Sequence, residues 1–380
     1  MRGPLLGLSR DNRLILLSML FWGCGEGLWV YIQPLYIKSL GANSMQIGLV
    51  LSVAPVLMVV GFIPTGILAD RYGRKKIIVA GSCVGAVAVL LLSLASDWQQ
   101  SIIGFLLYFG AACSLPAIHA YAAHASSGKS LNRTFSLLYA SFSVGLIFFP
   151  TVGGWMAGAM GFRAVLSTAA VFYALSTLVV LFIAEQPIGP PVKGFGFKEV
   201  LSNRRLLVIC TVNLFVFVAL FLGQPFAPNY LQEVVGVDLF WIGFLGSVSA
   251  LGATVLGVAL GRISEGIGGF ILGQGLVLIS LLVFLGFQAI PLLMVSFFLR
   301  GAFNACRALA LAQPGKVLGE AGTGLAYGLF NTAFNVSWVV APYMAAWLYT
   351  SRPDLPFLVS AAMIAIMMVV SSIVLKDNTG

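Results

Sequence analysis

The chain has 380 residues, 59% of them hydrophobic and only 9% charged, where a soluble domain carries about 25% charged residues. That balance excludes an ordinary soluble enzyme, a disordered chain and a disulfide-built secreted scaffold, and leaves a polytopic membrane protein with no room for a sizeable soluble domain. The net charge of +9 follows the loops on one side of the membrane, so it points to topology and anionic headgroups and not to nucleic acid.

A transmembrane helix needs about 20 apolar residues. Twelve such segments follow one another, at roughly 14–37, 45–69, 77–95, 100–122, 134–158, 164–184, 206–231, 240–260, 270–288, 291–312, 323–349 and 356–375. The first follows a short basic N-terminus; it is too long for a signal-peptide core, contains Glu26 and lacks a small-residue cleavage pattern, so it reads as a retained span. With the N-terminus in the cytosol, sixteen of the 21 Lys and Arg lie on the cytosolic side, three (Lys38, Arg163, Arg352) lie outside, and Arg300 and Arg307 fall within the tenth span. This is the positive-inside distribution, and an even span count puts both termini in the cytosol. The five cysteines sit in apolar runs without CxxC spacing and read as small buried hydrophobes.

The one composition shift is Glu185–Arg205, with Pro187, Pro190, Pro191, Gly194 and Gly196. It divides the chain into an N-terminal six-helix bundle (1–184), a cytosolic linker loop (185–205) and a C-terminal six-helix bundle (206–380). The two halves also repeat each other. Ile47-Gly48, Ser52-Val53, Gly66, Asp70 and Gly73 match Ile242-Gly243, Ser247-Val248, Gly261, Glu265 and Gly268, each pair 195 residues apart. Phe142, Val144, Pro150 and Trp155 match Phe334, Val336, Pro342 and Trp347 at a separation of 192. The expected fold is therefore an all-α integral membrane protein of twelve transmembrane helices in two pseudo-symmetric six-helix bundles, an architecture that places a substrate site near the midplane.

The second span ends in Gly66-Ile-Leu-Ala-Asp70-Arg71-Tyr-Gly73-Arg74-Lys75-Lys76. This resembles the signature loop of the major facilitator superfamily, G-x-x-x-D-R-x-G-R-K-K, in the position where that family carries it. The resemblance implies that spans 1, 4, 7 and 10 line a central cavity. It also implies that Asp70 faces the start of the eleventh span, near Thr323, where a helix dipole would add about 0.3–1 kcal/mol. Asp70, Arg71, Gly73 and Arg74, with Glu265 in the other half, are then the expected cytosolic gate. The fifth span carries Gly145-Leu-Ile-Phe-Phe149-Pro150-Thr-Val-Gly153-Gly154. This is similar to the G-x-x-x-G-P-x-x-G-G motif of the drug:proton antiporter branch, with Phe149 at one glycine position. Gly145, Pro150, Gly153 and Gly154 read equally as a kinked small-residue packing face.

Charges inside the spans carry the functional expectation, since each costs roughly 2.5–3.5 kcal/mol or more at the bilayer centre. Glu26 lies near the midplane among Gly23, Gly25 and Gly27, which suggests space around a proton-carrying carboxylate; the alternative is a hydrogen-bonded packing residue. Arg300 lies at a similar depth, and Asn304, one turn on, is expected to face the same way. Arg307 sits nearer the cytosol, where snorkelling competes with function. Gln224-Pro225 and Gln33-Pro34 read first as kinks and second as polar lining. His119 is a weaker proton-relay candidate, and His124 reads as an interfacial histidine. Trp22, Trp29 and Tyr31 read as core aromatics or cavity lining.

No metal-ligand cluster, Ser/His/Asp arrangement, paired carboxylates or P-loop occurs in the sequence, so an enzyme, a resident cofactor and ATP-driven pumping are not expected. The expected function is a secondary active transporter working by alternating access, by proton-coupled export of small amphipathic organic compounds. Its expected partners are a small-molecule substrate, protons and the lipid bilayer, with the chain acting as a monomer in a prokaryotic inner membrane. An organic anion, zwitterion or lipid headgroup bound through Arg300 and Arg307 is the alternative cargo, and a non-transporting sensor or scaffold the remote alternative.

Overall fold

The computed structural model describes residues 8–126, 131–186, 203–263 and 267–375, with side chains described at all of these except 63, 70, 132, 263 and 312–327. Among them every regular element is helical. The elements are α1 (Arg10–Trp29), α2 (Gln33–Ser39), α3 (Ser44–Val53), α4 (Val56–Tyr72), α5 (Arg74–Leu94), α6 (Trp98–Ala112), α7 (Leu115–His124), α8 (Leu131–Met160) and α9 (Phe162–Leu181). After the linker come α10 (Arg204–Leu222), α11 (Ala227–Tyr230) with a π-helical turn at Leu231–Val235, α12 (Leu239–Ile263), α13 (Ile267–Gly286), α14 (Ile290–Arg300), α15 (Ala302–Ser351) and α16 (Leu355–Val374).

Ten helical segments among the described residues are long and apolar enough to cross a membrane, and eleven when the bent pair α1 and α2 counts as one span. The remaining expected span, 323–349, is the later part of α15. That helix corrects one expectation: the chain stays helical through Thr323, so no helix begins there. The residues between the tenth and eleventh spans include Ala310, Ala312, Lys316, Leu318 and Glu320, all good helix formers, and they outweigh Pro314 and the glycines.

Five expected spans are interrupted within their length, four of them at prolines. Proline removes an N–H donor and clashes with the carbonyl one turn back. The first span bends by 51° between α1 and α2, ahead of Pro34. The second breaks at Pro55, the fourth ahead of Pro116 and the seventh around Pro225 and Pro228. The tenth breaks at Gly301, where α12 comes too close for any side chain: a Cβ there would overlap the backbone of Gly252 and Ala253. Polar side chains take up carbonyls near the breaks, as lipid requires. Cys113 Sγ reaches Leu57 O (3.3 Å), and Gln224 Nε2 donates to Leu220 O (3.0 Å).

The chain forms two compact units. Unit 1 comprises Met1–Ala42, Val53–Pro191 and Asp238–Ser247; unit 2 comprises Asn43–Ser52, Val192–Val237 and Val248–Gly380. The sequence repeat reappears as repeated geometry. Gly41 (φ +87°) and Gly236 (φ +79°), 195 residues apart, make the same left-handed turn that only glycine adopts without strain. Two residues on, Asn43 Oδ1 accepts from Gln46 N (2.9 Å) and Asp238 Oδ1 from Trp241 N (3.0 Å), so equivalent side chains cap α3 and α12. Within unit 2, Gly48 presses on Pro342 and Ala346; within unit 1, Gly243 presses on Pro150 and Gly154. These are the same contact made twice.

In unit 1, α1 packs along α8 and α9 through glycines. A Cβ at Gly23 would overlap Phe142 O, one at Gly27 would lie 2.6 Å from Gly145 O, and one at Gly153 would overlap Leu28 O. The fifth-span motif therefore acts as a close-approach face, with Gly145 and Gly153 on α1 and Gly154 on α12. Gly153→Ala should destabilise the purified protein by roughly 1–3 kcal/mol through overpacking. Gly66→Ala, at a helical position with open space around it, should leave the melting temperature unchanged or raised. Thermal unfolding of the two variants side by side checks the contrast.

Candidate functional site

Trp22 and Glu26 lie one turn apart on α1 and share a face. The Trp22 indole donates to Glu26 Oε2 at 3.1 Å, and the Tyr108 hydroxyl of α6 lies beside the same carboxyl group. Behind it, Tyr173 of α9 donates to Tyr108 Oη at 3.5 Å. The rings are fixed by edge contacts: Trp22 on Tyr173 (4.5 Å, 86°), Trp29 on Tyr108 (5.0 Å, 79°) and Tyr108 on Tyr173 (6.1 Å, 85°). Glu26 is half-buried, while Tyr173, Tyr108 and Trp29 are buried. Helix breaks contribute to the arrangement, because α6 ends at Ala112 and α1 at Trp29, each within a turn of the residues it supplies.

The space expected from Gly23, Gly25 and Gly27 is absent. Gly23 and Gly27 are covered by α8, and a Cβ at Gly25 would lie 3.0 Å from the Tyr173 ring. The glycines allow neighbouring helices to close on α1, and that closure brings Tyr173 into the cluster. Tyr108 and Tyr173 were not singled out by sequence reasoning. A pair of tyrosines on other spans is their only trace, and forty-four other aromatics obscure it.

The two arginines have different surroundings. Arg300, the last residue of α14, is buried; its guanidinium carbon lies 4.3 Å from the Phe297 ring centroid and 5.2 Å from that of Phe284 on α13. Arg307 is exposed and lies 4.2 Å over the ring of Phe334. Asn304 is exposed and does not share the surroundings of Arg300, because the helix breaks at Gly301 between them. Gln224 is half-buried and serves the broken helix end described above. His119 is half-buried, with Nε2 3.1 Å from the Tyr139 hydroxyl and its ring against Phe135.

At the signature loop, Gly73 (φ +97°) makes the tight turn between α4 and α5. Arg71 is exposed beside Tyr72. Arg74 Nη1 donates to Ala120 O (3.3 Å) and Gln186 Oε1 (3.2 Å), and Gln186 Nε2 donates to Tyr121 O (2.9 Å). The Tyr121 hydroxyl lies within hydrogen-bonding distance of Asp11 Oδ2 (3.0 Å) and Ala184 O (2.8 Å). Arg74 thus belongs to a brace inside unit 1 joining the ends of α1, α5, α7 and the start of the linker. The side chain of Asp70, in the last turn of α4, and the whole of Glu265 lie outside the described residues. Thr323 lies within α15, so the helix N-terminus expected there for Asp70 does not exist in this structure.

The family model of the Major Facilitator Superfamily matches residues 14–272. The chain belongs to the Major Facilitator Superfamily. It is 26% identical over 379 residues to a probable sulfoacetate transporter of Cupriavidus necator, covering 88% of this chain and 86% of that one. It is 28% identical over 280 residues to the multidrug resistance protein MdtG of Enterobacter lignolyticus, covering 68% and 66%. It is 23% identical over 367 residues to multidrug resistance protein 1 of Bacillus subtilis, covering 93% of each. Its fold is similar to the crystal structure of the nucleoside transporter NupG (TM-score 0.79, 16% identity, 97% of this chain and 99% of that one). A bacterial homologue of the lysosomal transporter Spinster also shares the fold (TM-score 0.71, 13% identity, 96% and 93%). The chain is thus a multi-pass membrane transporter and not an enzyme, and it resembles the drug:proton antiporter branch.

The two arginines are separable by stability. Arg300→Ala removes a buried side chain and its ring contacts, each worth about 0.5–2 kcal/mol, and should lower the melting temperature clearly. Arg307→Ala should stay within about 0.5 kcal/mol of the parent, as surface substitutions do. Thermal unfolding in detergent reads both.

Proposed function

We propose that this transporter couples the export of small amphipathic organic compounds to proton entry by alternating access, with Glu26 carrying the proton. The observation that carries this reading is the carboxyl group of Glu26 at mid-span, bonded by Trp22 and set beside Tyr108. Ionised, Glu26 offers only acceptors, and both neighbours can donate to it. Protonated, it keeps acceptor capacity but gains an O–H that needs an acceptor of its own. The indole of Trp22 can only donate, whereas the hydroxyl of Tyr108 can rotate to accept. A proton on Glu26 therefore changes what Tyr108, and Tyr173 behind it, must do, and those residues sit on α6 and α9. Proton binding is in this way linked to packing between three helices, which is what a coupled transporter needs.

The multidrug resistance relatives support export of amphipathic compounds, and the sequence repeat supports two halves that rock about a midplane site. On the same reading both termini lie in the cytosol, the membrane is a prokaryotic inner membrane and the working unit is a monomer.

The test uses proteoliposomes loaded with a pH-sensitive dye. A panel of cationic, neutral and anionic amphipathic compounds is added under an imposed pH gradient. At least one compound should drive proton movement through the parent protein. Glu26→Gln should abolish that movement while the same compound still raises the melting temperature, because binding to the folded state alone stabilises it. Unchanged proton movement in Glu26→Gln overturns the assignment of the proton carrier, and a panel without any active compound overturns proton-coupled transport.

A further inference from the structure

We propose that the eighth span is an unjointed rod that releases unit 1 in each transport cycle, with the hydroxyls of Thr151 and Ser247 as the latch it releases. The second span, its repeat counterpart, is jointed and keeps its grip. The proposal rests on the alternating-access reading above and adds to it which contact yields.

Helix α12 runs unbroken from Leu239 to Ile263. Its residues up to Ser247 belong to unit 1 and those from Val248 to unit 2, and Val237 before it also belongs to unit 2. Unit 1 therefore holds a short excursion of the other unit's chain. In unit 1, Gly243 presses on Pro150 and Gly154 of α8, and a Cβ at Gly246 would lie 2.6 Å from the Tyr31 ring. Thr151 N donates to Ser247 Oγ at 3.1 Å, and the two hydroxyls lie 2.8 Å apart. In unit 2, Gly252 presses on Phe298 of α14, and Gly301 on Gly252 and Ala253. A continuous helix cannot follow two bodies that turn against each other, so one grip must open. The grip on the short excursion is the one that yields, because the chain on both sides of it stays with unit 2.

The repeat counterpart differs at the joint. Asn43–Ser52 is held in unit 2 and the chain from Val53 in unit 1, so the change of unit falls at the equivalent position, 195 residues earlier. There the helix stops at Val53 and restarts at Val56, after Pro55, and such a break absorbs a change of angle. The equivalent of Pro55 in α12 is Ala250, within the helix. Ser52, the equivalent of Ser247, is buried, and its Oγ has no hydrogen-bond partner among the described residues. The jointed arm thus lacks the hydroxyl latch that the rod has. A hydroxyl pair suits a contact that is made and broken, since each freed hydroxyl can bond the carbonyl one turn back in its own helix.

The test is pulsed dipolar spectroscopy on the full chain in nanodiscs, with nitroxides on p-acetylphenylalanine at positions 163 and 352, both exposed, in a Cys83→Ser background. Thr151→Cys with Ser247→Cys, oxidised to a disulfide, defines the latched distance. That protein should show this distance alone, and reduction should restore the parent distribution. Ser247→Ala and Thr151→Val should each lower the ratio of latched to unlatched protein about twofold to tenfold, the equivalent of one net hydrogen bond. The double variant should go no further than either single one. Thr151→Ser, which keeps the hydroxyl, and Ser52→Ala should match the parent, and melting temperatures confirm folded protein. Three results overturn the proposal: unchanged distributions in both Ser247→Ala and Thr151→Val, an equal shift in Ser52→Ala, or a cross-linked protein with the full spread of parent distances. These readouts need no substrate and no proton gradient, so their failure leaves the Glu26 assay standing, and failure of that assay leaves the distances standing.

Discussion

In hydrocarbon a backbone amide has no water to turn to, so every N–H and C=O must find a partner within the protein. That constraint makes the described chain helical throughout and makes each interruption of a helix an event that needs compensation. Five spans are interrupted, at Pro34, Pro55, Pro116, Pro225 and Gly301, and the adjacent carbonyls are met by Cys113, Gln224 and other short polar side chains. The candidate residues lie beside these interruptions. Glu26 lies a turn before one, Tyr108 a turn before another, and Arg300 and Arg307 stand on either side of a third.

Glycine carries the second part of the architecture. Without a hydrophobic force between helices in lipid, association depends on close van der Waals approach. Gly23, Gly27, Gly145 and Gly153 allow that approach between α1 and α8, and Gly48 and Gly243 allow it at equivalent points of the two repeats. The resulting scaffold is tight where the sequence suggested room, and it presses Tyr173 against α1 beside Glu26.

Much of this was legible in the residues. Span positions and the duplicated Gly48 and Gly243 follow from hydropathy and spacing, and the energy of a charge in lipid singles out Glu26 as a candidate. The surroundings of the two arginines were not legible, because helical periodicity carries facing from Arg300 to Asn304 only if the helix is continuous. Gly301 interrupts it, and the reason lies in the backbone of α12, remote in sequence. Tyr108 and Tyr173 were hidden for a similar reason: their importance comes from three helices meeting, which no local pattern records. The continuation of α15 through Thr323 was not legible because span limits were read from hydropathy, and the polar stretch between the tenth and eleventh spans is rich in residues that also favour helix.

The brace formed by Asp11, Arg74, Tyr121 and Gln186 gives the start of the linker a mechanical identity. Ala184 and Gln186 are tied to α1, α5 and α7 by hydrogen bonds, so they move with unit 1. Through Arg74, the corner where Gly73 turns α4 into α5 is fastened to the same residues, so the signature loop is part of the internal bracing of unit 1.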